Sequence, residues 1–252
     1  LISENSLVQC LRRSPIKLVK LDLSLDEDQL QCWANACGVA GKLAYLNIPS
    51  SPSLPHRINP IGWHFKRSID WLMAMFLLLL LSPLMLILAA LIYVSSPGPI
   101  FVRQWTVGER GKLFQLIKFR ATALATSPLA RSGNPHNQPS PHSNLTPIGS
   151  WMWRYSLDQL PVLLNVLRGD MSLVGPRPQE LHEVMQISTE LQHQLNVLPG
   201  ITGAWRFKAK DCFWGTGFIR SELKCSHDWS LLQDLKYLLL SIPKWISEFG
   251  MY

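Results

Sequence analysis

The chain has 252 residues, 47% of them hydrophobic and 16% charged, with 24 Lys and Arg against 17 Asp and Glu for a net charge of +7. Soluble domains ordinarily carry about 25% charged residues, so this sequence is poor in charge yet basic, and its ten Trp and nine Phe exclude a disordered chain. Five cysteines at this length exclude a small disulfide scaffold, and the length suits one ordinary domain with a smaller piece attached.

Residues 1–50 read as a small α/β appendage. KLVKLDL (17–23) alternates as a strand. EDQLQCWANACGVAGK (27–42) has helical periodicity, with Leu30, Trp33 and Ala34 on one face and Gly41 near its end, and LAYLNI (43–48) is a second strand. The opening Leu in place of Met points to a trimmed chain or an unusual start codon. Proline-rich residues 51–62 form a linker. Cys10, Cys32, Cys37, Cys212 and Cys225 contain no CxxC pair, which fits reduced thiols in core packing, and the seven histidines have no metal-binding spacing.

A membrane segment is expected over residues 63–98. The 24 residues from Trp71 to Val94 carry no charge, and about 20 such residues suffice to cross a bilayer. Ser82-Pro83 interrupts the run, where proline removes a backbone donor. Both flanks are basic: Arg57, Lys66 and Arg67 precede the run, and Arg103, Arg110, Lys112, Lys118 and Arg120 follow it. Because cytoplasmic flanks are the basic ones, the pattern favours a re-entrant helix-hairpin broken at Ser82 and Pro83 over a kinked spanning helix.

Residues 99–252 make the main domain. A hairpin is predicted from strands at 100–104 and 113–119 around a Gly108–Gly111 turn. Between Trp71 and Leu157 the only acid is Glu109, against seven Lys and Arg, a field that selects anionic partners. Such charge also suits nucleic acid, but these residues surround a membrane segment, so no nucleic-acid partner is expected. Residues 126–150, with five prolines, read as a loop. SLDQLPVLLNVLRGD (156–170) is expected to be a helix capped by Ser156, with Asp158 in its first turn and Leu160, Leu163, Leu164 and Leu167 on one face. MSLVGPRPQE (171–180) reads as a strand ending in a stiff turn that presents Arg177, PGITGAWRF (199–207) as a turn and strand, and residues 229–249 as an amphipathic helix, either interfacial or in the core.

These strings together resemble the bacterial sugar transferases, the monotopic polyprenyl-phosphate phosphoglycosyl transferases. The resemblance rests on KRSIDW (66–71), the apolar run with its Ser82-Pro83 break, SPGPIFVRQWTVGERGKLFQLIKFR (96–120), SLDQLPVLLNVLRGDMSLVGPRP (156–178), LPGITGAW (198–205) and WSLLQDLK (229–236), in the family order. The N-terminal piece lies outside it and bears a fainter likeness to cyanobacterial members associated with heterocyst envelope polysaccharide. The resemblance implies an α/β (α+β) fold: a re-entrant membrane helix, then a small mixed catalytic domain with interfacial amphipathic helices on the cytoplasmic face of the inner (plasma) membrane.

It also implies an activity, transfer of a phospho-sugar from a UDP-sugar to undecaprenyl phosphate, releasing UMP. This is the initiating step of exopolysaccharide synthesis, with Mg²⁺ as cofactor and membrane lipids as surroundings. Asp158 matches the family nucleophile, forming a covalent aspartyl phospho-sugar, and is the expected metal-binding carboxylate. Arg177, Lys118, Arg120 and Arg154 are the phosphate-binding candidates. The family usually carries Asp-Glu where this chain has Asp158-Gln159, which removes one carboxylate from a hard cation. KFRATALATS and Arg206–Lys210 also depart from the pattern. The alternative is a catalytically weak membrane-bound paralogue acting as an assembly or regulatory partner.

Overall fold

The computed structural model describes residues 4–49, 60–96, 98–122, 146–185 and 195–203, with 187, 192, 205, 234, 236, 238 and 240. The N-terminal piece begins with a helix that the sequence pattern did not suggest, α1 (Glu4–Arg13), and continues with β1 (Leu18–Leu21), α2 (Glu27–Ala40) and β2 (Leu43–Leu46). Glu27 and Asp28 in the first turn of α2 complement its dipole, and Gly41, at φ 68, ends it in the left-handed conformation. β1 and β2 pair in parallel, from Leu18 opposite Leu43 to Leu21 opposite Leu46. The core of this piece is shared: Leu21, Leu30, Ala34, Cys37 and Leu46 form one buried cluster with Val107, Leu113, Leu181 and Val184 of the following domain.

The apolar run lies within α3 (Pro60–Ser95), a 36-residue helix that contains Pro83. Pro83 has no N–H to offer the carbonyl four residues back, that of Leu79. The Ser82 hydroxyl donates to that carbonyl at 2.8 Å, so the helix continues past the proline with the freed acceptor satisfied. Lys66, Asp70, Ala74, Leu88 and Ile92 are buried along one side, with Leu77, Leu81, Leu84 and Met85 partly so. On the other side Leu72, Phe76, Leu79, Leu80, Leu86, Ile87, Leu91 and Val94 are exposed.

Both ends of α3 are tied to the same domain. At the start, Arg67 Nη1 donates to the Met171 carbonyl at 2.7 Å and Ser172 Oγ donates to Asp70 Oδ2 at 2.6 Å. Lys66 there binds Asp234 and donates to the Val174 carbonyl. At the far end Leu88 and Ile92 pack with Phe119, Met152 and Leu157, and Arg120 Nη2 donates to the Ser96 carbonyl at 2.6 Å.

β3 (Phe101–Val107) and β4 (Leu113–Phe119) form the predicted antiparallel hairpin, closed by a 3-10 turn at Glu109–Gly111. The two-residue β6 (Gln179–Glu180) joins its open side, giving the order β4-β3-β6. The expected loop over 126–150 ends earlier than its prolines suggest. Thr146 accepts from the Gly149 amide at 2.9 Å and Pro147 takes the first helical position of α4 (Pro147–Arg154). Most of that loop lies outside the described residues.

The expected helix over 156–170 is corrected in kind. Residues Leu157–Val162 are 3-10 and only Leu163–Arg168 (α5) are α-helical. Pro161 would meet the carbonyl of Leu157 in an α-helix, which the tighter winding avoids. Ser156 sits at φ 52 with no side-chain cap bond, so it does not cap the segment as expected. β5 (Ser172–Val174) pairs in parallel with β7 (Gly200–Thr202), after the short α6 (Leu181–Met185). A Cβ on Gly200 would collide with Gly175, so the backbones of the two proline-flanked turns approach as only glycine permits. Of the predicted C-terminal helix, Asp234, Lys236, Leu238 and Leu240 are helical. Cys212, Cys225 and Arg206–Lys210 lie outside the described residues.

Candidate active site

The 3-10 segment turns Asp158 inward, leaving it 8% exposed. Its Oδ1 is buried and makes no hydrogen bond among the described residues. Burial pushes the Asp158 carboxyl up from an ordinary 3.8 to about 6, against the opposing pull of the Lys118 ammonium and of its own backbone N–H. A buried acceptor without a partner costs stability, and such a cost recurs where a group is held ready for a reaction.

Lys118 comes to Asp158 through the packing of the 3-10 segment on β4, and Asn165 fixes that packing. Fully buried on α5, its Oδ1 accepts from the Ile117 amide at 3.1 Å and its Nδ2 donates to the Gln115 carbonyl at 2.7 Å. The side chain thus takes the place of a neighbouring strand along β4. Sequence reasoning missed this residue, although an Asn within an otherwise leucine-rich helix was the available signal.

Lys118 Nζ also donates to Gln104 Oε1 at 3.1 Å and lies 3.6 Å from Glu180 Oε1. Glu180 in turn lies 3.5 Å from His182 Nδ1. Arg177 stands at the proline turn as expected and is half-exposed, with Nη2 donating to Glu183 Oε1 at 2.8 Å. The other oxygen of Glu183 accepts from the Glu180 amide at 3.1 Å. Two cations that could meet phosphates are therefore held by two carboxylates of β6 and α6 that carried no assigned role in the sequence.

The other candidates stand in different settings. Arg120 is buried with its guanidinium on the Ser96 carbonyl, where it secures the end of α3. Arg154 is exposed in the last turn of α4, and Gln159 is partly buried beside Asp158. Among the described residues no group of three or more His, Cys, Asp or Glu side chains could hold a metal. Mg²⁺ characteristically binds through one or two carboxylates and completes its shell with water and substrate phosphates. The unpartnered Asp158 Oδ1 fits that mode.

A family model described as bacterial sugar transferase matches residues 61–248. The exopolysaccharide production protein ExoY of Sinorhizobium fredii is 32% identical over 206 residues, covering 77% of this chain and 91% of that protein. The UDP-glucose:undecaprenyl-phosphate glucose-1-phosphate transferase of Escherichia coli is 30% identical over 205 residues, 78% of this chain and 43% of the relative. The undecaprenyl-phosphate galactose phosphotransferase of Salmonella typhimurium is 30% identical over 202 residues, 74% of this chain and 41% of the relative. The match begins at the start of α3 and takes in every element around Asp158, so the chain belongs to the bacterial sugar transferase family and is an enzyme of the phosphoglycosyl transferase class.

Proposed function

We propose that this protein transfers a phospho-sugar from a UDP-sugar to undecaprenyl phosphate, the initiating step of exopolysaccharide assembly, with Asp158 as nucleophile. The observation that carries the reading is the buried Asp158 carboxylate beside Lys118, with one oxygen unpartnered. An Asp158 oxygen attacks the β-phosphorus of the donor. The bond from that phosphorus to the bridging oxygen breaks, and UMP leaves with the electron pair. The phospho-sugar is then carried on Asp158 until a phosphate oxygen of undecaprenyl phosphate attacks the same phosphorus and returns the free carboxylate.

Lys118 neutralises charge at the phosphorus, and Arg177, stiffened by Pro176 and Pro178, offers a planar fork for a phosphate. Asp158 with Gln159 would hold Mg²⁺, which when bound screens the donor diphosphate. Splitting a transfer between two anions into two displacements lowers each barrier.

The lipid substrate calls for a catalytic site at headgroup depth. α3 supports a monotopic arrangement, because both of its ends are tied to one domain while its outer face is apolar and exposed, and the basic residues flanking the apolar run favour the cytoplasmic face of the inner membrane for that domain. A helix that crossed the bilayer would carry those ends to opposite sides. Trp151 and Trp153 on α4, with Phe101 and Val102 at the start of β3, add exposed apolar surface suited to the interface.

The test is incubation of the membrane-bound protein with UDP-hexoses, Mg²⁺ and undecaprenyl phosphate. UMP release is expected, together with a phospho-hexose adduct on the Asp158 peptide by mass spectrometry, and Asp158→Asn abolishes both. No release with any UDP-sugar would favour the non-catalytic partner role. Cysteines introduced near residues 60 and 105 should label from the cytoplasmic side alone, and labelling from opposite sides would overturn the topology.

A further inference from the structure

A cleft of about 310 Å³ lies where the N-terminal piece meets the hairpin turn and the start of α3. It is remote from Asp158: Lys112, before β4, and Lys118, near its far end, stand roughly 20 Å apart at about 3.3 Å per residue. Its walls come from separate parts of the chain. Tyr45 is from β2, Trp63 from α3 and Phe114 from β4, so two half-buried aromatic side chains line the space over a buried phenylalanine. Tyr45 and Lys112 form a backbone bridge that closes the seam.

The turn beside the cleft is built at a cost. Gly111, at φ 76, lies so close to β2 that a Cβ there would stand 2.8 Å from the Leu46 carbonyl oxygen. The preceding Arg110 adopts φ 55, a left-handed backbone that a residue with a Cβ rarely takes. Strain of this kind is costly and clusters at ligand-binding positions. Here it aims a half-exposed guanidinium along the cleft wall, beside Glu109.

The charges of the lining decide the class of ligand. Arg110 and Lys112 are balanced by Glu109 and Asp170, with Lys112 Nζ 2.8 Å from Asp170 Oδ1 and Arg110 Nε 4.0 Å from Glu109 Oε1. The two cations and two carboxylates of the lining cancel, so the cleft carries no net charge to select a phosphate or nucleotide. A neutral pyranose meets its walls without a charge mismatch. Its C–H faces lie on the electron-rich faces of aromatic rings, and its hydroxyls both donate to carboxylates and accept from Lys and Arg. The geometry points to a saccharide-binding site, separate from the reaction centre and completed by the N-terminal piece. It takes a neutral hexose unit, either of a free sugar or of a glycan.

The full-length protein in lipid nanodiscs should be titrated with methyl glucoside, methyl galactoside and methyl N-acetylglucosaminide, observed by saturation-transfer NMR and calorimetry. At least one glycoside is expected to bind at one site per chain. That binding should persist in Asp158→Asn and in saturating UMP, and weaken at least tenfold in both Tyr45→Ala and Arg110→Gly. Glycine relaxes the left-handed backbone, so Arg110→Gly should unfold no lower than the parent, which separates a lost contact from a lost fold. Displacement by UMP would assign the sugar to the reaction centre and overturn the proposal. So would retention in Arg110→Gly, absence of binding by all three glycosides, or binding of inorganic phosphate to the cleft in their place. The readout involves no turnover, so the inference stands or falls apart from the proposed reaction.

Discussion

Asp158→Asn should uncouple stability from pH in a way that can be worked from the site. Burial carries the carboxyl from 3.8 to about 6, so the folded protein holds this proton more tightly than the unfolded chain does. Stability from this group is therefore greatest below 3.8, falls as the pH rises from 3.8 to 6, and is level above. At about 1.36 kcal/mol per pH unit the ionised carboxylate costs about 3 kcal/mol at pH 8 and about 1.6 kcal/mol at pH 5. Relative to the Asn variant, the wild type should lose about 1.4 kcal/mol between those pH values, roughly 3–6 °C in Tm for a protein of this size. Any constant cost of fitting an amide cancels in the comparison. The assay is thermal unfolding in nanodiscs at both pH values, without Mg²⁺ or nucleotide, since either would engage the carboxylate. Tm values that move in parallel for the two proteins would refute the argument. The same ionisation should set the acid limb of kcat/KM near pH 6 in the wild type.

Glu180→Gln releases Lys118 from one of its two carboxylates, so the acid limb should move down by on the order of half a unit, as a pH–rate profile would record; an upward shift would mean that Lys118 does not serve Asp158. Asn165→Ala strands the Ile117 amide and the Gln115 carbonyl and should cost about 2–5 kcal/mol in denaturant unfolding. Lys66→Ala leaves Asp70 and Asp234 without their shared cation, a loss of about 3–5 kcal/mol in the same measurement. Gln159→Glu restores a second carboxylate and should lower the Mg²⁺ concentration for half-maximal UMP release several-fold, with chelation by EDTA abolishing release in both forms.

Local patterns were sufficient for the parts of this protein that are locally determined. The strand, helix and strand of the first 48 residues follow from side-chain periodicity and Gly41. The hairpin follows from the turn at Gly108–Gly111, and the apolar stretch of α3 from composition. The ordered family strings marked Asp158, Lys118 and Arg177 as candidates, because those residue types suit phosphate chemistry wherever the chain places them.

Tertiary structure decided what those residues meet. The 3-10 winding of Leu157–Val162 depends on Pro161, visible in the sequence, but the burial of Asp158 depends on how that segment packs across β4 through Asn165. The carboxylates that engage Lys118 and Arg177 come from β6 and α6, brought there by strand pairing that no periodicity encodes. Arg120 reads as one more cation of a basic stretch, yet its position at the end of β4 gives it to the Ser96 carbonyl. The N-terminal piece reads as an appendage, while its core closes only with Val107, Leu113, Leu181 and Val184. Periodicity reports which face of an element is apolar. Which surface that face meets, and whether a cation meets a carbonyl, a carboxylate or a substrate, is settled by the packing of elements distant in sequence, and here that packing buried the Asp158 carboxylate of a basic, charge-poor chain with a lysine held at its side.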